Sequence, residues 1–187
     1  MTSTTASATT TGLQTETYAI DPAHTTAEFV VRHLMITKVR GRFTGVSGTI
    51  AVPAGSDVPT SVDVTIDAKT IDTHEPQRDE HLRSADFLSA DEYPQLAYRS
   101  TRIEGTPDEF KVYGDLTLRG VTRPVVLEGT FEGRGNDPWG GHRVGYSAHT
   151  KINRKDFGLA WNQALETGGV VVGDEVRIEL NVEATRQ

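Results

Sequence analysis

The sequence predicts a single soluble all-β domain, an eight-stranded antiparallel barrel with an apolar interior. Three observations carry this prediction. Apolar and polar residues alternate with a period of two over most of the chain, which is typical of strands with one buried face. Clusters of turn-forming residues separate these segments. The chain has 187 residues and no cysteine, so one domain of this length must fold on its core alone.

Seven alternating segments and one glycine-punctuated segment make up the predicted strands. In chain order these span residues 27–33, 39–52, 62–68, 96–100, 110–118, 125–131, 144–152 and 176–182. An antiparallel sheet with one solvated face has this pattern, whereas a buried parallel sheet has unbroken apolar runs. Closing the sheet removes two exposed edges. An eight-stranded interior holds either packed side chains or one small ligand.

The turn signals agree with these boundaries. Glycine, proline, asparagine and aspartate cluster at residues 53–57, 104–108 and 133–138, between predicted strands. Arg119-Gly120-Val121-Thr122 is short enough to be a tight link, and its glycine allows a backbone conformation that other residues resist.

One segment, residues 75–88, breaks the alternation. Leu82 and Phe87 fall on one helical face, while Asp79 and Arg83 fall on the opposite, charged face. Pro76 suits the first turn of a helix. The sequence therefore predicts a short helix over residues 75–88, lying across one opening of the barrel.

Charge and composition exclude several function classes. Without cysteine there is no disulfide framework, thiol nucleophile, cysteine zinc site or iron–sulfur cluster. The net charge of −7, without an evident basic cluster, predicts repulsion from nucleic acid and from anionic membrane surfaces. No apolar run reaches the length of a membrane-spanning helix, so we expect no integral membrane insertion.

The amino-terminal residues 1–16 are mostly Thr, Ser and Ala. They lack the basic start and apolar stretch of an export signal. We therefore expect a disordered tail over 1–16, a folded domain over 17–187 and a cytoplasmic protein.

Polar candidates for a site lie around the predicted helix. Arg78 and His81 could either bind a charged head group or form part of a solvated helix face, and the sequence leaves both roles open. For Asp79 and Arg83 we favour a structural role. His33 has inward parity. The spacing of His74 and His81 is not that of a metal site, so none is expected.

Two further residues belong to loops or strand ends. Trp161, with Leu159 and Leu165, could form a lid over an interior cavity or simply anchor its loop. Arg154 is expected to tie a strand end to a loop carboxylate, which is a structural role.

Several segments, in order, resemble the YceI-like family of lipid-binding proteins. The resemblance covers nearly everything from Tyr18 to Ala184, so a chance match is very improbable. The motifs that carry it are YAIDPAH (18–24), AEFVVRHL (27–34), VRGRF (39–43), IDT (71–73), RDEHLRSADF (78–87), YP (93–94), GDLTLRGVT (114–122) and INRKDFG (152–158).

The resemblance implies a lipocalin-like barrel with a long apolar tunnel that holds a polyisoprenoid or similar amphiphile, such as a prenyl diphosphate or a quinone tail. It also implies a homodimer. Many relatives are periplasmic, but the sequence gives no export signal that would carry this location over. Beyond a co-purified polyisoprenoid, quinone or fatty-acid-like lipid, no cofactor is expected.

The tunnel interpretation yields a set of predicted ligand-binding residues: Phe29, Val31, His33, Phe43, Val64, Ile66, Arg78, His81, Leu82, Phe87, Tyr98, Val112, Leu116, Leu127, Tyr146, Ile152, Phe157 and Trp161. A non-catalytic carrier is the favoured function, because no catalytic motif is present. The alternatives are an enzyme for a lipid-like substrate using His33, Arg78 and His81, and an interaction module with a packed, dry core.

Overall fold

A computed structural model of the protein describes residues 14–166 and 168–187. Strands dominate it, with one α-helix, α1, at Pro76–Arg83 and two short 3-10 helices at Ala68–Thr70 and Arg154–Phe157. The strands are β1 Thr15–Ile20, β2 Thr26–His33, β3 Thr37–Phe43, β4 Val46–Pro53, β5 Ser61–Asp67, β6 Ile71–Asp72, β7 Gln95–Thr106, β8 Glu109–Leu118, β9 Val121–Asn136, β10 His142–Asn153 and β11 Val172–Arg186.

These segments form the closed eight-stranded antiparallel barrel that the sequence predicts. β1 and β2 pair with successive parts of β11, so they are two halves of one interrupted barrel strand. β3 and β4 are likewise continuous, as are β5 and β6. These three interrupted strands and β7 to β11 make eight, and the pairing of β1 with β11 closes the ring.

The strand boundaries differ from the predictions in several places. Strands β7 and β9 run into the predicted turns 104–108 and 133–138 and end at Thr106 and Asn136. The predicted strand 39–52 is interrupted at residues 44–45, between β3 and β4. Most of the predicted tail, residues 1–13, lies outside the described residues, but Thr15 and Glu16 form the start of β1. Only Tyr18 and Ile20 of this strand are buried, which is too short an alternation for the pattern to identify.

Helix α1 is shorter than predicted. The Glu75 carboxylate accepts hydrogen bonds from the N–H groups of Gln77 and Arg78 and so caps the amino terminus. The helix ends at Arg83 because Ser84 adopts an extended conformation, and turns follow it. Over the described residues, no helix is long and apolar enough to cross a membrane.

The two ends of the barrel are closed differently. The end with α1, called here the helix end, also carries the β2–β3 and β8–β9 turns and the loop 158–171. Near the opposite end the ring of Tyr146 packs against Phe110 and Phe131, with centroids 6.0 and 5.6 Å apart. Gly129 is required beside this cluster, since a Cβ there would lie 2.4 Å from the Phe110 ring.

Candidate ligand cavity

The barrel encloses an apolar cavity of about 250 Å³. Inward-facing residues of every barrel strand contribute to its wall, because alternate side chains of each strand point inward. At the helix end the wall is completed by Leu82 of α1, by Phe87 and Leu88 of the following turns, and by Leu159. A void lined in this way excludes water and accepts apolar ligands.

Thirteen of the eighteen predicted ligand-binding residues line this cavity. They are Phe29, Val31, Phe43, Val64, Ile66, Leu82, Phe87, Tyr98, Val112, Leu116, Leu127, Tyr146 and Ile152. Five others do not belong to the wall, namely His33, Arg78, His81, Phe157 and Trp161. These thirteen residues lie where a ligand in the cavity would contact them, and their role in binding stays a prediction.

The predicted set omits other wall residues. Several of them occupy the same alternate, inward-facing strand positions as the predicted set, so the alternation could have identified them. They are Val46, Ile50, Val62, Leu96, Phe110, Val176, Ile178, Leu180 and Val182. Leu88 and Leu159 carry no such signal, because they reach the wall from turns and loops whose course the alternation does not predict.

Two tyrosines in the wall have already used their hydroxyl donors. The Tyr98 hydroxyl lies 2.8 Å from the Val112 carbonyl oxygen and 3.1 Å from that of Val125. The Tyr146 hydroxyl donates to the Asp57 carbonyl at 3.2 Å. Burial raises the pKa of Tyr98 and raises that of Tyr146 to about 12, so both stay neutral at physiological pH. Their rings therefore present apolar surface to the cavity.

The charged cluster of α1 fastens the helix to the barrel. Arg78 donates from Nε to the Thr73 hydroxyl at 2.7 Å and from Nη2 to the Thr73 carbonyl at 2.8 Å. Arg83 donates to the carbonyls of Lys69 and Ile71. The guanidinium of Arg78 is turned toward Thr73 and does not line the cavity, and binding of a charged head group by Arg78 stays a prediction.

Asp79 is buried, contrary to its predicted place on the solvated face. Its carboxylate accepts hydrogen bonds from the Thr73 backbone N–H at 2.8 Å and from the Thr73 hydroxyl at 2.5 Å. The structural role expected for Asp79 is thus a contact with Thr73. A buried carboxylate needs such donors, so Asp79 and Thr73 together fix the start of α1.

His81 and Trp161 meet each other beside the cavity and do not line it. The His81 ring packs edge-on against Phe87 and Trp161, with centroids 5.0 and 4.8 Å away, and its Nε2 lies 2.8 Å from the Asp86 carboxylate. Phe87 is the member of this aromatic group that reaches the wall. Both residues pack against Phe87 on the side away from the cavity, and their ligand-binding roles stay predictions.

Arg154 holds both ends of the loop 158–171. The residue is 3 % exposed, and its guanidinium donates to the carbonyls of Leu159 and Trp161 at the start of the loop. It also donates to the carbonyls of Val172 and Gly173 at the start of β11. The predicted carboxylate contact exists only as a 3.5 Å approach to Asp174, so backbone carbonyls are the main partners.

Phe157 and His33 have other positions than predicted. Phe157 is 2 % exposed and belongs to the packed core behind the wall. His33 ends β2 opposite Val172, and Val172, not His33, lines the cavity. Neither residue lines the cavity, and their ligand-binding roles stay predictions.

One group in the described part of the chain has the spacing of metal ligands, namely Asp21, His24 and Glu183. A guanidinium already neutralises it. Arg143 Nη1 lies 2.8 Å from the Asp21 carboxylate and also bonds Glu183, while its Nε lies 2.9 Å from Asp137. The hydrogen bond from Arg143 is the main cause that lowers the pKa of Asp21 to about 2, with His24 contributing. We interpret this group as an ion-pair network that joins β1, β10 and β11.

The substitution Arg143→Gln should lower the midpoint of urea unfolding at pH 7 more than Arg99→Gln, which breaks one exposed pair with Asp63. Because the pKa of Asp21 is below its unfolded value near 4, its contribution to stability is complete above pH 4 and is lost as the pH falls toward 2. The deficit of Arg143→Gln should therefore shrink over that window. A deficit independent of pH would contradict the network.

Comparison with known proteins places this barrel in a family. Residues 18–184 match the model of the YceI-like domain. The chain belongs to the YceI-like family. It is 39 % identical over 172 residues to Protein YceI of Shigella flexneri, which covers 91 % of this chain and 87 % of that protein. Protein YceI of Salmonella newport is 37 % identical over the same length, with the same coverage.

Solved structures of other proteins have the same fold. The YceI protein of Campylobacter jejuni superposes with a TM-score of 0.73 at 28 % identity, covering 83 % of this chain and 90 % of that one. BcnA of Burkholderia cenocepacia gives 0.75 at 23 % identity, covering 89 % and 99 %. A polyisoprenoid binding domain from Saccharophagus degradans gives 0.63 at 14 % identity, covering 91 % and 98 %. The last two establish a shared fold.

Proposed function

We propose that this protein binds one long-chain amphiphilic lipid of the isoprenoid type, such as a polyprenyl diphosphate or a quinone, and carries or sequesters it. The observation that supports this most is the apolar cavity enclosed by the barrel. Each buried CH₂ group contributes about 0.8 kcal/mol, so a long tail binds well without a hydrogen bond. The structural relative from Saccharophagus degradans, a polyisoprenoid binding domain, supports the same ligand class.

The ligand should enter tail first and leave its polar head at the helix end. The opposite end is obstructed by the Tyr146 ring, whose hydroxyl is bonded to the Asp57 carbonyl. Arg154, the arginine in the wall, uses its donors on loop carbonyls and offers no pair to a diphosphate. A charged head buried without a partner is costly, so it should stay in water outside the wall formed by Leu82 and Phe87.

The enzymatic alternative gains no support from the geometry. General acid–base chemistry needs side chains within about 3 Å of a reacting atom. Arg78 is engaged by Thr73 and His81 by Asp86, and neither residue lines the cavity. His33 does not line it either. We therefore propose a binding protein without catalysis.

Mass spectrometry of the intact protein under native conditions tests the proposal. After mild purification we expect one bound lipid per barrel, and solvent extraction should release an isoprenoid-type mass. Protein stripped of lipid should regain it from a panel of polyprenyl diphosphates and quinones. A barrel that retains no lipid and takes up none from this panel would overturn the proposal.

Filling the cavity should abolish uptake while leaving the fold intact. Ala148 faces the cavity, and Ala148→Phe places a ring in the space that the tail needs. Displacing two buried CH₂ groups lowers affinity about tenfold, and a ring displaces more. Thr65→Phe is the matched control, because Thr65 lies between two wall residues and points outward. Equal uptake by both variants, measured by quinone titration, would contradict a ligand in this cavity.

A further inference from the structure

The outer surface of the β2–β3 hairpin carries a cluster of basic residues that lie apart in the sequence. Arg32 is directly opposite Lys38, and Arg40 and Arg177 flank Val30 on either side. All four basic side chains are exposed, and within the described ranges none of them forms an ion pair. We call these four residues the basic face. Like charges opposite each other destabilise a sheet, so this surface is suited to an anionic partner.

The turn of the same hairpin is an exposed apolar tip, formed by Leu34, Met35 and Ile36. Met35 is 51 % exposed and Ile36 is 80 % exposed. Leu34 and Met35 both have positive φ, at 52° and 58°, a conformation that hairpin turns usually reserve for Asn and Gly. Bulky apolar residues in this strained and exposed position need a reason other than folding.

The apolar tip adjoins the cavity at the helix end. The Leu34 N–H donates to the Val171 carbonyl at 2.8 Å, which joins the tip to the loop 158–171. His33, the residue before the tip, lies opposite Val172, which lines the cavity. A surface that contacts the tip would therefore lie beside the end of the barrel that carries α1.

We propose that the β2–β3 hairpin docks this protein on an anionic lipid bilayer. The apolar tip enters the interfacial region, and the basic face contacts lipid phosphates. Proteins that bind membrane surfaces commonly combine apolar insertion with such electrostatic attraction. The net charge of −7 predicts repulsion from such a membrane. Charges more than about 8 Å away are screened at physiological salt, however, so the charges around the hairpin decide. There the four residues of the basic face outnumber the carboxylates of Glu28 and Glu179, which lie one residue pair further from the tip. This docking goes beyond lipid binding in the barrel and does not require it.

Vesicle flotation of the intact protein tests the docking. We expect binding to vesicles of phosphatidylglycerol and phosphatidylethanolamine at about 50 mM salt, release at about 500 mM salt, and little binding to pure phosphatidylcholine. Each charge lost from the basic face should lower the partition coefficient about fivefold. The double substitution Lys38→Gln and Arg40→Gln should therefore lower it by more than tenfold, and Ile36→Asp should also release the protein.

Matched control variants distinguish an effect of this surface from a general effect of net charge or of exposed apolar side chains. Arg99→Gln with Arg102→Gln removes the same two charges from β7, and Trp139→Asp removes an apolar side chain that is 86 % exposed at the β9–β10 turn. Both variants should bind vesicles as the parent does, and so should Ala148→Phe, whose cavity is filled. The proposal is overturned by control variants that lose binding equally, by equal binding to phosphatidylcholine, or by no vesicle binding. An Ile36→Asp variant that changes only the molar mass in solution would make the tip a subunit interface and overturn docking as well.

Discussion

Replacing Arg154 by Met should lower the free energy of unfolding by about 3 kcal/mol. Methionine keeps much of the apolar stem but removes the donors that hold four backbone carbonyls, those of Leu159, Trp161, Val172 and Gly173. Buried carbonyls without partners carry a desolvation cost of about 1–3 kcal/mol each, which partial opening of the loop relieves. Urea unfolding of the lipid-free protein measures the loss.

The same substitution should loosen the loop 158–171, and a tryptophan reports this. The chain has two tryptophans, so in a Trp139→Phe background the emission of Trp161 is observed alone. Arg154→Met should shift that emission to the red as Trp161 separates from His81 and Phe87. Lys155→Ala, which removes a neighbouring exposed ion pair with Asp174, should cost less than about 1 kcal/mol and leave the emission unchanged. Similar losses of unfolding free energy for the two variants would contradict the role of Arg154 in holding the loop 158–171.

The strands of this barrel could be predicted because one simple force sets their pattern. A strand such as β8 has one face in an apolar interior, so Phe110, Val112 and Leu116 alternate with polar residues. The number of strands followed from counting such segments. The alternation does not identify β1, because only Tyr18 and Ile20 of this strand are buried. The early end of α1 depends on Ser84 leaving the helical conformation.

The wall of the cavity could be predicted for the same reason, whereas the polar residues around it could not. The partner of Arg78 and Asp79 is Thr73, and this contact depends on how α1 returns to the barrel after β6. A motif places arginine, aspartate and histidine near one another but does not say whether they face a ligand or the backbone. Three-dimensional packing decides between these. Here the arginine and the aspartate contact Thr73, and the histidine contacts a neighbouring carboxylate and two aromatic rings.

The basic face could not be predicted at all from charge counted along the chain. Arg32 and Arg177 are far apart in sequence and become neighbours only because β2 pairs with β11. Net charge is a sum over the molecule, whereas a membrane or ligand responds to the charges within a screening length. The expected repulsion from anionic surfaces rests on net charge alone, and the vesicle experiment decides between it and the proposed docking.

The substitution Phe157→Ala should lower the free energy of unfolding by about 4 kcal/mol, because the side chain is 2 % exposed and its removal leaves a cavity in packed core. Phe29→Ala is the matched control. The Phe29 ring is half-buried and borders the existing cavity, packing on one side against Phe43 at 5.9 Å, so its loss should cost only about 2 kcal/mol. Both measurements need lipid-free protein, since a bound lipid stabilises the folded state.

Ligand binding should be affected in the opposite order, with Phe29→Ala changing it more than Phe157→Ala. Phe29 contacts the space where the tail lies, so Phe29→Ala should change the affinity for a quinone or prenyl chain. Phe157 supports the wall from behind, so Phe157→Ala should bind almost normally in the molecules that remain folded. Titration at a temperature where both variants are folded separates binding from stability. If Phe157→Ala lost the ligand while Phe29→Ala kept it, the tail would lie outside the cavity bordered by Phe29. Phe157 would then contact the ligand, as the sequence predicts.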